Sequence, residues 1–303
     1  MNIISEIKEI KKNFSSKILF DENLSKYSWF NLGGPAKIVF KPKNLNELSS
    51  FLKKTNGSAK IKVLGAGSNI LVRDGGFNGI IIKLDKTFSH VSLFDKKTII
   101  AGSSTLDKNL SIFALENSLS GFEFLSCIPG TIGGGIRMNS GCFGSEFKDI
   151  LLSVQAIDRT GRVLTIPSSK IKFEYRTINL SRDLIFLSAS FKGKFKKKDM
   201  IKKEIEYLKS KKEKAQPTRI KTSGSTFKNP IKQTNKKVWE LIKSSVPQDM
   251  AFGDATISEK HNNFFVNKKN ATFKDMKKLI DHVKKNVKEK TGVSLDLEIE
   301  IVG

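Results

Sequence analysis

The sequence predicts an α+β fold of more than one domain, and three features carry that expectation. The glycine loop Gly65-Ala66-Gly67-Ser68-Asn69 follows an alternating strand, Lys60–Leu64, and leads straight into another apolar one, Ile70–Val72. A doubly wound dinucleotide fold needs a third glycine and a helix behind such a loop, to aim the helix N-terminus at pyrophosphate. Ile70 stands in the third place here, so that fold is disfavoured. Val154–Asp158 and Val163–Ile166, joined by Thr160-Gly161, read as a β-hairpin. The chain closes with two helical patterns and a strand in which Leu295, Leu297, Ile299 and Ile301 share one face, with Asp296, Glu298 and Glu300 on the other.

The elements follow in order. Ile3, Ile7 and Ile10 sit at helical spacing in a short amphipathic segment. Leu32-Gly33-Gly34-Pro35 makes a turn before the strand Ala36–Phe40, and Asn44 is placed to cap a helix carrying Leu48, Phe51 and Leu52. A glycine-rich turn at 74–79 separates Ile70–Val72 from the strand Ile80–Ile82. Strands at Val91–Leu93 and Thr98–Ala101 lead through Gly102 to a helix with Leu106, Leu110, Phe113 and Ala114 inward. Residues 128–135, Ile-Pro-Gly-Thr-Ile-Gly-Gly-Gly, read as a second glycine-rich loop, continued through 138–144. The strand Leu184–Ser190 precedes a lysine-rich helix, Met200–Lys214, with Ile201, Ile205 and Leu208 on one face. A helix with Trp239, Leu241 and Ile242 follows, then the strand Phe264–Val266. Thr272 and Asp275 form a capping box for a helix with Phe273, Met276, Leu279, Ile280 and Val283 inward. Three parts result: 1–85, 86–195 and 196–303.

The totals bound the function. At 303 residues, 38% hydrophobic and 28% charged, the chain suits a soluble globular protein with a sizeable core. No apolar run approaches the ~20 residues of a membrane span. The start, 1–7, lacks the basic end and apolar block of a secretory signal, so a cytoplasmic protein is expected. Cys127 and Cys142 are too few for a disulfide scaffold, and no His or Cys cluster suggests a metal. A net charge of +24 would suit a polyanion partner. However, only seven of the 54 basic residues are arginine, and the lysines spread along the whole chain. A general lysine bias explains the charge better than nucleic-acid binding does.

Residues 222–230, Thr-Ser-Gly-Ser-Thr-Phe-Lys-Asn-Pro, concentrate the candidate chemistry. Ser225, Lys228 and Asn229 crowd around Gly224, and Pro230 biases Asn229 toward extended backbone. Such a turn can grip an anion and deliver a proton; it can equally be a polar surface hairpin. The loop at 65–69 can likewise cradle phosphate through consecutive N–H groups or be a plain turn. The glycine density at 128–144 gives backbone room for a flat or phosphorylated ligand.

Seven stretches in order resemble one family: Gly65–Asn69, Ile128–Gly134, Met138–Gly141, Tyr175-Arg176, Gly224–Pro230, Ser258–His261 and Glu298. That family is UDP-N-acetylenolpyruvoylglucosamine reductase, in its shorter form without a tyrosine-bearing insert, and the resemblance runs from about Tyr27 to Gly303. It implies a two-part FAD-binding module of the vanillyl-alcohol-oxidase (PCMH) type plus a C-terminal α+β substrate-binding domain. It further implies non-covalent FAD, NADPH as co-substrate, a UDP-sugar substrate, and a place in bacterial peptidoglycan precursor synthesis. A monomer without nucleic-acid or membrane partners is expected. In the implied reaction, hydride passes from reduced FAD to the β-carbon of an enolpyruvyl ether and a proton reaches the α-carbon. The resemblance assigns the proton to Ser225 and polarisation of the carboxylate to Arg176 and Glu298. It gives FAD to Gly65, Ala66, Gly67, Ser68, Asn69, Ile70, Pro129, Gly130, Thr131, Gly133, Gly134, Asn139 and Gly141. Tyr175, Lys228 and Asn229, with Lys214 as a further candidate, are given to substrate. His261 is read as structural.

Four departures from the family pattern stand out. Glu300 occupies a place usually held by arginine, Thr256 one often held by glutamine, and Gly135 replaces a commoner alanine without expected consequence. The stretch from Arg176 to Ser225 is short, so the cover over the substrate diphosphate differs. The rival reading is another FAD-dependent oxidoreductase of the same fold, of the hydroxy-acid oxidase type, which would keep the glycine loops but not the Ser225/Glu298 pairing.

Overall fold

The computed structural model describes residues 3–55, 57 and 59–303, with the side chain of Ile3 outside the description. The reading of the first residues as lacking a secretory signal, and the inward role of Ile3, therefore fall partly outside the described residues. The chain forms two compact units, each threaded more than once by the backbone. The first gathers Met1–Phe20, Lys37–Ala66 and Gly79–Lys212; the second gathers Asp21–Ala36, Gly67–Asn78 and Glu213–Gly303.

Two larger sheets lie mainly in the first unit. One is ordered Lys17–Asn23, Pro35–Lys41, Phe77–Ile82, Ile61–Val63, its last pair parallel. The helix Leu45–Thr55 covers it because Leu48, Phe51 and Leu52 recur at helical spacing, and all three are fully buried. Asn44 caps this helix as expected, its Oδ1 accepting from Glu47 N at 2.9 Å. Phe40 stacks on Phe51 with centroids 3.9 Å apart. The other sheet is antiparallel, ordered Val163–Pro167, Leu151–Ile157, Ile185–Lys192, Thr98–Gly102, Val91–Leu93, and it contains the expected hairpin. Its core is built on Leu110, Phe122, Ile136, Phe147 and Phe191.

Two expectations change here. The 128–135 run is not wholly loop: Ile132–Arg137 is a helix carrying three glycines. A Cβ on Gly135 would lie 2.3 Å from the buried Phe147 ring, so a side chain there would force that ring to shift. Glycine at this position leaves room for the Phe147 ring. Leu106, expected inward, is the N-cap of the helix Asp107–Glu116 and exposed; its backbone bridges Thr131 instead.

The second unit packs the helices Val238–Ser245 and Phe273–Thr291 on an antiparallel meander, Ala251–Phe252, Ala255–Ile257 and Phe265–Asn267. The longer helix begins with the expected capping box between Thr272 and Asp275 and ends at Gly292, in left-handed conformation. Phe273, Met276, Leu279, Ile280, Val283 and Val287 lie inward, against Phe227 and Phe265. The last strand departs from expectation. Leu295 and Ile299 are buried in the core and Leu297 and Ile301 pack against it, as the sequence predicts, while Val302 is buried as well. The chain bends at Glu298 and Ile299, and only Glu300–Val302 forms a strand, parallel to Ile70–Val72.

Candidate active site

In the first unit, two of the glycine-bearing stretches meet. A Cβ on Gly65 would lie 2.5 Å from Thr131 Oγ1, so glycine is what lets the two loops touch. Lys83, absent from the sequence-based assignment, donates from Nζ to the Gly65 carbonyl at 2.6 Å, and burial lowers its pKa. Ala66, Gly130 and Gly133 are half-buried, while Pro129 and Gly134 are exposed. Thr131 is the N-cap of the glycine-bearing helix; Ile132 N and Gly133 N donate to the Thr105 and Ser103 carbonyls at 2.9 Å each. Beside this stretch, the Ser103 and Ser111 hydroxyls and both carboxylate oxygens of Asp107 are buried without a protein partner. Asp107 N donates to the Gly130 carbonyl at 3.1 Å, which ties the carboxyl to the loop. Burial raises its pKa well above the usual carboxylate range.

Asn139 and Gly141 continue this region. Asn139 is fully buried at φ +40°; its Nδ2 donates to Glu146 Oε2 and the Glu174 carbonyl, and its Oδ1 accepts from Lys148 N. Its carboxamide therefore holds the chain together locally. Tyr175 and Arg176 form the two-residue loop between the strands Phe173–Glu174 and Thr177–Ile178. Arg176 sits at φ +58°, a region that glycine usually fills in such turns. Its Nη2 donates to the Gly141 carbonyl at 2.9 Å and its guanidinium lies 4.9 Å from the Tyr175 ring centre.

In the second unit, the 222–230 segment is no surface hairpin. Ser223, Thr226 and Phe227 are buried, while Ser225, Lys228 and Asn229 are half-exposed. Asn263 clamps it from one side: Thr226 N donates to its carbonyl, Phe227 N to its Oδ1, and its Nδ2 donates to the Phe227 carbonyl. The C-terminal stretch grips the other side. Lys228 N donates to the Asp296 carbonyl and Glu298 N to the Thr226 carbonyl, each at 2.9 Å. The loop at 67–70 joins the same constellation. Ser223 Oγ donates to the Ile70 carbonyl, Asn69 Nδ2 to the Glu298 carbonyl, and Glu300 N to the Asn69 carbonyl. Gly67 is held at φ +74° with its Cβ position 1.7 Å from the Tyr27 carbonyl, so no other residue fits. Ser68 beside it is half-buried. Glu298, Asn69 and Ile70 are thus tied to the segment that carries Ser225, whose own backbone pairs with Phe264.

The remaining candidates sort by what they touch. Asn229 Oδ1 accepts from Val238 N at the start of a helix. Thr256 is buried and donates to the Met250 carbonyl. His261 Nδ1 accepts from Asn263 N, its ring packs edge-on against Phe264, and burial lowers its pKa, which suits a structural histidine. Lys214 is exposed; Lys212, two residues earlier, is the half-buried lysine. Lys83, Asp107 and Asn263 escaped sequence reading because each is defined by a partner far off in the chain.

Glycine-lined stretches in contact, buried polar atoms beside them, and a polar segment pinned beside residues 67–70 fit a flavin protein. Residues 36–167 match the model of an FAD binding domain, and 216–302 match that of the UDP-N-acetylenolpyruvoylglucosamine reductase C-terminal domain. The UDP-N-acetylenolpyruvoylglucosamine reductase of Pelagibacter ubique is 60% identical over 299 residues, covering 99% of each chain. That of Rickettsia conorii is 44% identical over 283 residues, covering 93% of this chain and 95% of its own. The crystal structure of the Thermus caldophilus enzyme aligns with TM-score 0.80 and 30% identity, over 95% of this chain and 99% of that one. The chain belongs to the UDP-N-acetylenolpyruvoylglucosamine reductase family. It is an FAD-dependent oxidoreductase, in agreement with the sequence. Among the described residues, no helix is long and apolar enough to cross a membrane.

Proposed function

We propose that this protein reduces UDP-N-acetylenolpyruvoylglucosamine to UDP-N-acetylmuramate, with Ser225, Arg176 and Glu298 carrying the chemistry. FAD, bound without a covalent link and reduced by NADPH, supplies the hydride for the β-carbon. The chain's own residues do the rest. The Ser225 hydroxyl holds the proton for the α-carbon. A serine hydroxyl is a weak acid, and it serves because the carbanion-like centre is strongly basic and the hydroxyl is held in place. The Arg176 guanidinium forks onto the substrate carboxylate, where charge collects, and Glu298 polarises it; stabilising such charge is usually the largest catalytic term. Tyr175, Lys228 and Asn229 hold the sugar nucleotide. The 65–70 loop, with Pro129, Gly130, Thr131, Gly133, Gly134, Asn139 and Gly141, holds FAD. We place the enzyme in the cytoplasm as a monomer acting on small molecules, with neither nucleic acid nor membrane as partner.

The observation that carries this reading is the constellation in the second unit. The segment bearing the Ser225 hydroxyl, the Glu298 backbone and the Asn69 side chain of a glycine loop are tied by hydrogen bonds from three separate parts of the chain. The test is spectral and anaerobic. NADPH should bleach the flavin, and UDP-N-acetylenolpyruvoylglucosamine should restore its colour in a single turnover. Bleaching by a 2-hydroxy acid, with no response to the enolpyruvyl sugar, would favour the oxidase reading instead.

A further inference from the structure

The first unit brings positive charge to one end of its four-stranded sheet. Ile61–Val63 and Phe77–Ile82 run parallel and stop there together, with Leu64 N donating to the Ile82 carbonyl at 2.9 Å. Gly65 and Lys83 therefore come side by side just past the strand ends, and Lys83 Nζ donates to the Gly65 carbonyl at 2.6 Å. Lys83 N donates to the Phe40 carbonyl at 3.0 Å, which brings Lys41, the last residue of the strand Pro35–Lys41, to the same end. Both lysines are half-buried. Burial, and after it the charge of Lys41, lowers the Lys83 pKa.

Beside this charge lies a set of open N–H donors. Gly65 meets Thr131, its Cβ position 2.5 Å from Thr131 Oγ1. Among the described residues, the N–H groups of Gly65, Ala66, Gly130 and Thr131 donate to no protein acceptor. Backbone N–H groups in a partly buried site call for an acceptor. Successive N–H groups beside an ammonium suit an anion with several oxygens. The two stretches and both lysines fall within residues 36–167, which match the FAD binding domain model. We propose that Lys83 is an FAD-binding residue, its ammonium pairing with the diphosphate while it holds the Gly65 carbonyl. The proposal rests on the reading given above, that the 65–70 and 129–134 stretches hold FAD. One N–H of the ammonium fixes the loop, and its charge attracts the phosphate oxygens. Lysine serves here as a compact point charge, so the contact does not demand the planar fork of an arginine.

The experiment uses the FAD-loaded protein, with phosphorus NMR of the bound diphosphate and flavin fluorescence on dilution as readouts. Lys83→Met should move at least one phosphorus signal of bound FAD. It should also raise the FAD dissociation constant by about ten-fold or more, the scale of one lost charge-assisted hydrogen bond. Lys83→Arg should recover most of the affinity, because the charge is kept. If the methionine variant does not fold, Lys83→Gln, which retains an N–H donor, gives the same two readouts. Affinity and signals as in the parent would overturn the proposal. Weaker affinity with both signals in their parent positions would overturn it too, since Lys83 would then only brace the loop. Gly65→Ala, which drives a Cβ into Thr131 Oγ1, tests the underlying reading separately and should weaken FAD binding. Unchanged affinity in that variant would overturn the loop reading and the proposal together. Weakening there, with Lys83→Met as in the parent, would remove Lys83 alone.

Discussion

Arg176 sits at φ +58° in the two-residue loop Tyr175-Arg176, a conformation that costs a non-glycine residue on the order of 1–3 kcal/mol. Its surroundings hold it there through Gly141 and Tyr175, which is the pattern of a residue kept for what it does. Arg176→Gly should therefore leave the urea midpoint near the parent value while reoxidation by substrate slows by about 10²-fold or more, the scale of a lost charge contact. A large drop in midpoint with normal reoxidation would give the arginine a structural role. Glu298→Gln should keep FAD and lose reoxidation by a similar factor; full activity would turn attention to Asp296 or Glu300. Asp107 makes a different prediction. Burial holds its carboxyl protonated to higher pH in the fold than in the unfolded chain. The unfolded chain thus releases this proton first, and stability falls as pH rises from the ordinary carboxyl range toward the folded value. Asp107→Asn should flatten that slope in urea midpoints measured across pH, and an unchanged slope would contradict the assignment. At this scale the sequence was informative through its motifs alone. Ser225 and Glu298 are named by resemblance, while the Asn263 clamp and the Asn69 tie come from residues dozens to hundreds of positions away.

Most elements were legible because their burial patterns are local. The helix Phe273–Thr291 shows its cap, its inward stripe and its terminal glycine within one stretch of sequence. The glycine-bearing helix Ile132–Arg137 was not legible, because glycine weakens a helix by roughly 1 kcal/mol per residue and reads as loop. What overrides that propensity is contact, with Gly135 packed under the Phe147 ring. Gly135→Ala should destabilise by about 1–3 kcal/mol, the usual cost of overpacking, and Phe147→Leu in the same chain should recover part of it. An unchanged thermal midpoint for Gly135→Ala would remove the packing argument. The last strand misled for a related reason. The shared apolar face is real, but the chain bends at Glu298 and Ile299 and changes pairing partners there, from Thr226 and Phe227 to Ile70–Val72, so one long strand becomes a short one.

At the scale of the whole molecule, the +24 charge is carried mainly by exposed lysines, and ion pairs such as Lys172–Glu174 and Lys285–Glu289 are solvent-exposed. Exposed pairs contribute little, whereas uncompensated like charge opposes the compact state. Raising monovalent salt through the range where the screening length falls to about 10 Å should therefore raise the melting temperature. A fall would mean that the ion pairs dominate. The charge bears on stability; the reaction proposed above turns instead on the Ser225 hydroxyl as proton donor. The most direct test takes Ser225→Ala through its two half-reactions separately under anaerobic conditions. Flavin reduction by NADPH should proceed as in the parent, while reoxidation by the enolpyruvyl sugar should slow by orders of magnitude. Equal reoxidation in the two proteins would show that the proton comes from somewhere other than Ser225.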